Sequence, residues 1–215
     1  MKSKLIAAAL LAATVGAQAA PVIADSATFT GDVITFNEFD GLTVDGSLNL
    51  GNGVTLTTTP NAIVGQFAQD LGDNGLWSSI GNDNRDGNFL AAAFTTNRGE
   101  IGFSFANPVS SVGAFINQYQ PNGVTTNNVM VVAYDINGHV LESFQLTIDT
   151  DAFGYDEGKF VGFTRATADI YGFGFVDGSV VIDNVVTAAV PEPATWGLML
   201  VGLGVAGFAA RRRRA

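Results

Sequence analysis

The chain has 215 residues, of which 47% are hydrophobic and 14% charged, and it contains no cysteine. Six of its ten basic residues lie at the two ends, so residues 20–190 hold 19 acidic and four basic side chains, a net charge of −15. Nucleic-acid binding through phosphate neutralisation needs clustered lysine and arginine, which this region lacks. Without cysteine there are no disulfides, no thiolate nucleophile and no cysteine-ligated metal centre. These totals leave an acidic body between two basic, apolar ends.

The first 19 residues have the three parts of a secretory signal peptide. Lys2 and Lys4 form a basic head, residues 5–15 are almost wholly apolar, and the small residues Ala17 and Ala19 precede the expected cleavage point. We therefore expect signal peptidase to remove residues 1–19 and the mature chain to begin at Ala20. The alternative, a buried amphipathic helix, is disfavoured because residues 5–13 contain no polar position.

The C-terminal segment, residues 190–215, combines three features in a fixed order. They are the tripeptide Pro191-Glu192-Pro193, an uncharged stretch over residues 194–210, and the arginines Arg211, Arg212, Arg213 and Arg214. A helix over the uncharged stretch would be about 25 Å long, near the lower limit for spanning a bilayer. The arginines should stop transfer and stay cytoplasmic, which places the acidic body on the other side of the membrane.

This order of features resembles the PEP-CTERM sorting signal of Gram-negative bacteria that make exopolysaccharide. The resemblance implies that an exosortase in the inner membrane recognises the segment and cleaves near Pro191, Glu192 and Pro193. The body would be held briefly at the inner membrane and then delivered to the cell surface or to a biofilm matrix. A permanent C-terminal anchor has the same appearance and is the alternative.

Between the two ends, residues 20–189 are expected to form one ectodomain. Short apolar runs alternate with glycine, asparagine and aspartate, and no helical period persists. Ten strands are predicted, over residues 33–36, 54–58, 89–94, 102–105, 111–118, 129–135, 140–148, 159–164, 170–175 and 180–186. The fold class predicted is all-β, an antiparallel β-sandwich of two packed sheets.

Asn137-Gly138 lies between two strand-like runs and predicts a β-hairpin. A two-residue turn would pair Ile136 with His139, whereas a three-residue loop with a bulge at Gly138 would pair Asp135 with His139. In both registers the single histidine of the chain lies at an exposed hairpin tip. A Ser-His-acid triad is therefore not expected, and no catalytic residue is assigned.

Five segments of the body together resemble the jelly-roll ectodomain common in PEP-CTERM proteins, which is similar in layout to galactose-binding-like modules. The segments are residues 34–38, 103–113, 133–138, 160–163 and 181–185. The resemblance implies a structural calcium ion shared by Glu38 and Asp183, while no cofactor is required. The alternative for Asp183 is an acid of the last strand that hydrogen-bonds to a nearby loop amide.

A carbohydrate-binding module that holds matrix exopolysaccharide is the second functional hypothesis. Sugar sites on β-sandwiches present exposed aromatic rings beside polar groups. Trp77, Tyr119 and Tyr155 lie next to loop-like segments and are the candidates for stacking, with buried packing as the alternative for each. A glycosidase or lyase ranks third, because most acids stand beside glycine, asparagine or threonine in expected loops.

Overall fold

The computed structural model describes residues 20–78, 87–92, 99–121, 129–177 and 179–189. Within these ranges every regular element is a strand. The strands are β1 (Ala20–Ala24), β2 (Asp32–Ile34), β3 (Leu42–Gly51), β4 (Val54–Gln66), β5 (Ala68–Asp70), β6 (Leu76–Ser78), β7 (Phe89–Ala92), β8 (Glu100–Val109), β9 (Ser111–Gln118), β10 (Val129–Tyr134), β11 (Val140–Leu146), β12 (Lys159–Thr164), β13 (Ile170–Val176) and β14 (Val180–Ala188).

Twelve of these strands form one antiparallel sheet that folds over on itself. The order is β1-β12-β9-β14-β7-β4-β8-β13-β10-β11, with β2 joined to β14 and β3 joined to β4, while β5 and β6 form a separate hairpin. We call β1, β12, β9 and β14 half A, and β4, β8, β13, β10 and β11 half B. From β8 to β14 the chain crosses repeatedly between the halves, which is a jelly-roll-like path. The predicted all-β, antiparallel sandwich is confirmed, and its two layers belong to one continuous sheet.

The main core lies between the two halves and is built by alternation along each strand. Phe103 on β8 and Phe173 on β13 face inward from half B, and Ile116 and Phe163 face them from half A. All four are almost completely buried. The rings of Phe163 and Phe173 meet edge to face with centroids 6.4 Å apart, a geometry that aromatic quadrupoles favour. Burial of such side chains is the main force that holds the halves together.

A second apolar cluster covers the outer side of half A. Phe115 on β9, Phe160 on β12 and Val181 on β14 point away from the main core and pack with Leu71 and Trp77. These last two come from the segment that carries the β5–β6 hairpin, so this hairpin lies over half A. Strand β9 is consequently buried on both faces, which explains why its sequence is apolar or small at nearly every position.

Strand β14 occupies a central position although it is the last strand of the body. It pairs with β9 along one edge, and with β7 and then β2 along the other. The register shifts between Asp183 and Val186, where Asn184 has a positive φ of 48°. Asparagine tolerates this left-handed conformation better than most residues, so a β-bulge forms there, between the residues of β14 that pair with β7 and those that pair with β2.

The β10–β11 hairpin resolves the two registers that the sequence left open. Asp135 N–H donates to His139 O at 2.9 Å and Gly138 N–H donates to Asp135 O at 3.1 Å. Gly138 has a φ of 77°, which glycine adopts without steric cost. The three-residue loop with a bulge at Gly138 is therefore the register adopted, and His139 lies at its exposed tip.

The two ends predicted to carry targeting signals lie outside the described residues. This applies to the leader with Ala17 and Ala19, to the motif Pro191-Glu192-Pro193, to the membrane helix over 194–210, and to the arginines from 211 to 214. In the ranges that are described, no helix has the length and apolarity needed to cross a bilayer.

Candidate functional site

A groove of about 620 Å³ lies on the outer face of half B. Its floor includes the small residues Gly102 and Ser104 of β8 and Gly172 of β13, and Ser104 pairs with Gly172. The large residues of the same strands, such as Phe103, point to the opposite face and into the core. Alternation of glycine with phenylalanine thus fills the core and leaves a hollow outside.

Tyr134 of β10 lies across this glycine floor. A Cβ atom at Gly172 would stand 3.2 Å from Tyr134 Cβ, and one at Gly174 would stand 3.4 Å from Tyr134 Cε2. The phenol of Tyr134 donates to Glu100 Oε1 at 2.9 Å, so the ring is fixed at both ends. Partial burial, together with Glu100, raises the pKa of Tyr134 to about 12. The phenol therefore stays protonated and keeps its donor role at neutral pH.

The tip of the β10–β11 hairpin forms one end of the groove and is held by Asp135. The Oδ1 atom of Asp135 accepts bonds from the backbone N–H groups of Asn137 and His139, both at 2.8 Å. The bond from His139 N–H is the main reason why the pKa of this carboxyl is lowered. His139 Nδ1 lies 3.2 Å from Asp135 Oδ2. Asp135 and His139 therefore hold the turn of the hairpin. They do not form a buried catalytic centre, because the His139 side chain is 77% exposed.

The groove combines an aromatic platform with carboxylate, hydroxyl and backbone groups. Tyr134 and Tyr171 supply aromatic surface, while Glu100, Asp135 and Thr57 supply polar atoms. A concave site of several hundred Å³ with a few fixed polar groups is typical of small-molecule and oligosaccharide binding. No lysine or arginine is among the described residues that line it. The arrangement suits a ligand with apolar faces and hydrogen-bond donors, and it does not suit a polyanion.

The three aromatic residues predicted to stack on sugar occupy different environments. Trp77 is only 3% exposed, its Nε1–H donates to Glu157 O at 2.7 Å, and its ring packs edge to face on Phe89. The face of the Trp77 ring is therefore closed to a ligand. The ring packs in the interior, which was the alternative role considered for it. Tyr119 is 39% exposed beside a hollow of about 310 Å³. Tyr155 is 69% exposed beside another of about 300 Å³.

Glu38 and Asp183, the predicted calcium ligands, differ strongly in burial. Glu38 is exposed in the turn after β2. Asp183 is 3% exposed, and its carboxylate accepts bonds from Asn184 N–H at 2.7 Å and from Asn184 Nδ2 at 3.3 Å. Both donors belong to the next residue of β14 and not to a loop. The described residues contain no group of three or more acidic or histidine side chains placed to hold a metal ion, so calcium binding stays a prediction.

The residues that build the groove were not identified from the sequence. Its signal is nonetheless present, because Tyr171-Gly172-Phe173-Gly174-Phe175 places glycine and phenylalanine on alternate sides of one strand. Such a strand leaves a depression on its glycine face, into which a neighbouring aromatic side chain can lie. The partner, Tyr134, is set by the pairing of β10 with β13, a contact between distant parts of the chain.

Comparison with solved structures gives partial likenesses. The enzymatically active domain of bacteriophage CBA120 tailspike protein 4 has a TM-score of 0.35 and 15% identity, and the match covers 65% of this chain and 20% of that one. CsCBM6-3 from Clostridium stercorarium, in complex with cellobiose, has a TM-score of 0.32 and 13% identity, covering 76% and 99%. CtCBM11 has a TM-score of 0.28 and 14% identity, covering 78% and 100%. The chain thus spans a fifth of the length of the tailspike domain. The fold assigned above depends only on the strand pairing of this chain.

Comparison with protein families gives a match at the C-terminal end. No curated protein matches the chain. A family model does match residues 189–214, and it describes the PEP-CTERM protein-sorting motif. The match starts immediately after β14 and includes the tripeptide, the apolar stretch and the arginines noted above. The chain therefore carries a PEP-CTERM sorting motif directly behind its β-sandwich.

Proposed function

We propose that this is an exported protein that is sorted through its C-terminal motif to the cell surface or extracellular matrix. The observation that carries the proposal is the sorting motif at residues 189–214. Lys2 and Lys4 would orient the leader, and Ala17 and Ala19 would permit its removal. The C-terminal arginines would stop transfer, and an exosortase would cleave near the Pro-Glu-Pro tripeptide, releasing the body into a biofilm rich in exopolysaccharide.

The sorting proposal is tested by replacing Pro191, Glu192 and Pro193 with alanine. We expect the variant to stay in the membrane fraction at a larger mass than the released wild-type protein. A matched control replaces Pro121, a described position in the body, and should be released normally. Release of the triple variant at the wild-type mass would contradict cleavage at this motif.

The body itself is proposed to bind polysaccharide through the groove on half B. The observation that carries this second proposal is Tyr134, a fixed aromatic ring on a glycine floor with Glu100 and Asp135 beside it. A pyranose ring presents C–H groups to an aromatic face and hydroxyl donors to carboxylates. The cellobiose in the complex of CsCBM6-3 is a ligand of this chemical type.

Binding is favoured over catalysis because the groove carboxylates are already engaged. Glu100 accepts a hydrogen bond from the phenol of Tyr134, and Asp135 accepts hydrogen bonds from the hairpin backbone. Both carboxylates thus accept hydrogen bonds from the protein itself, and we do not assign either of them as a general acid or base. Glycosidase or lyase activity would show as soluble reducing or unsaturated ends released from the bound polymer, and we expect none.

The groove is tested by pull-down of the released protein on exopolysaccharide purified from the producing cells. Tyr134→Ala should weaken retention about tenfold, since a buried aromatic contact is worth about 1–2 kcal/mol. The control is Ile23→Ala, which removes an exposed apolar side chain from β1, outside the groove, and should leave retention unchanged. Equal retention of wild type and Tyr134→Ala would remove the groove as the binding site.

A further inference from the structure

We propose that the loop over residues 151–157 is a second glycan-binding site, and that one molecule bridges two polysaccharide chains. The proposal rests on the proposed function in one respect, namely that the groove on half B holds the first chain. The loop site is built from Phe153 and Tyr155 around a hollow of about 300 Å³, with Asp70 at its rim.

Two aromatic side chains are displayed to solvent at this loop. Phe153 is 90% exposed and Tyr155 is 69% exposed, the two largest exposed fractions among the large hydrophobic residues that the structure describes. Each leaves apolar area in contact with water, and burial of that area against a ligand is favourable. Two such rings beside one hollow form a local patch of the kind that marks an interaction site.

The loop that carries these rings is fixed by hydrogen bonds. Phe153 N–H donates to Asp151 Oδ1 at 2.9 Å, and Asp151 N–H donates to Glu157 Oε2 at 2.8 Å. Leu76 N–H of β6 donates to Gly154 O at 3.0 Å, and Asp156 N–H donates to Leu76 O at 2.9 Å. The aromatic rings therefore stand on a preorganised backbone, which lowers the entropy cost of binding.

The chemistry of the hollow favours a glycan over a membrane. Asp70 is exposed at the rim, and Asp149 and Asp151 are exposed on or beside the loop. Carboxylates repel the anionic headgroups of a lipid surface, whereas sugar hydroxyls donate to them. The aromatic rings match the C–H face of a pyranose. A neutral or amino sugar in a polymer fits both features.

The loop and the groove lie on opposite sides of the sandwich. The groove is on the outer face of half B. The loop pairs with β6 through Leu76 and Tyr155, and the neighbouring Trp77 packs in the apolar cluster on the outer face of half A. Two polymer chains can therefore be engaged without competing for space. For a protein delivered to a polysaccharide matrix, this makes it a cross-linker.

The test is agglutination of beads coated with exopolysaccharide purified from the producing cells, using the released protein. Wild type should clump the beads. The double variant Phe153→Ala/Tyr155→Ala should still bind them through the groove but should need about a hundredfold more protein to clump them, because two-site attachment is lost. The matched control, Ile23→Ala, removes an exposed apolar side chain from β1 and should behave as wild type.

The outcomes separate failure of the loop from failure of the groove. Clumping by the double variant at the wild-type concentration overturns the loop site. If Tyr134→Ala binds and clumps as wild type does, the groove proposal fails and bridging fails with it. If wild type is a dimer by light scattering and the double variant a monomer, the loop is a self-association surface and the glycan site is wrong. Each variant is assayed well below its own measured melting temperature, so that folded protein is compared in every case.

Discussion

Replacing Tyr134 with phenylalanine removes one hydroxyl from the groove and makes the protein less stable in a pH-dependent way. The hydroxyl donates to Glu100 Oε1 at 2.9 Å, while the ring keeps its place above Gly172 and Gly174. Since phenylalanine preserves the ring, the difference between the two proteins isolates the phenol. Partial burial and then Glu100 raise the pKa of this phenol from 10.0 to about 12 in the folded state.

The sign of the pH dependence follows from that direction. A group whose pKa is raised on folding stabilises the folded protein below its unfolded pKa, and the stabilisation is lost as pH rises toward the folded value. A two-unit shift corresponds to about 2.7 kcal/mol. Because the site is partly exposed and solvent screens it, we expect about 1 kcal/mol. Wild type should exceed Tyr134→Phe by that amount at pH 8 and lose the advantage between pH 10 and 12.

The measurement is urea unfolding followed by far-ultraviolet circular dichroism at pH 8, 10 and 11. The matched control is Tyr155→Phe, which alters a tyrosine that is 69% exposed and should change the free energy of unfolding by less than about 0.5 kcal/mol at every pH. Equal stability of wild type and Tyr134→Phe at pH 8 would refute the contribution of the bond to Glu100. A constant difference from pH 8 to pH 11 would refute the raised pKa.

Three further predictions concern the core and the predicted metal ion. Gly162→Ala should lower the free energy of unfolding by more than about 3 kcal/mol, because its Cβ would stand 2.0 Å from Val112 O. The control Gly102→Ala, whose Cβ would have no atom nearer than 3.8 Å, should change the free energy of unfolding by less than about 0.5 kcal/mol. Equal effects of the two substitutions would contradict the close approach at Gly162. Asn117→Ala should cost about 1–3 kcal/mol in urea unfolding, since Asn117 is fully buried and its amide donates to three groups; an unchanged midpoint would show that these bonds do not stabilise the fold. Removal of calcium by a chelator should lower the melting temperature by about 5–10 °C if Asp183 holds the ion, and an unchanged melting temperature would end that prediction.

All ten strands predicted from the sequence occur in the structure, because each is a run of apolar residues that ends at a turn signal. Strands β1, β3, β5 and β6 were not foreseen, and β3 shows why. Its sequence is interrupted by Asp45-Gly46, and Gly46 has a φ of 101°. The strand forms because β4, its partner, continues to Gln66 and offers a long edge for pairing. Local propensity alone does not contain that information.

The candidate site was harder to foresee than the fold, and the aromatic residues show why. Trp77 follows a loop-like segment in the sequence, yet the hairpin that carries it folds back over half A and buries it. Tyr134 stands in a predicted strand to which no site residue was assigned, yet its ring lies over glycines of β13. The face on which a strand residue lies is set by register with its neighbours, and that register links segments far apart in sequence.

The central place of β14 constrains the order of events during export. This strand completes hydrogen bonding for β9, β7 and β2, so on the proposed route of export the sandwich cannot close until residues up to Ala188 have crossed the membrane. The sorting motif begins one residue later. If the motif retains the chain at the membrane, retention would begin just as β14 becomes available for pairing. Cleavage after residue 190 would leave β14 intact. On the proposed route, a cut upstream of Ala188 would remove part of β14 and with it hydrogen bonds to β9 and β2.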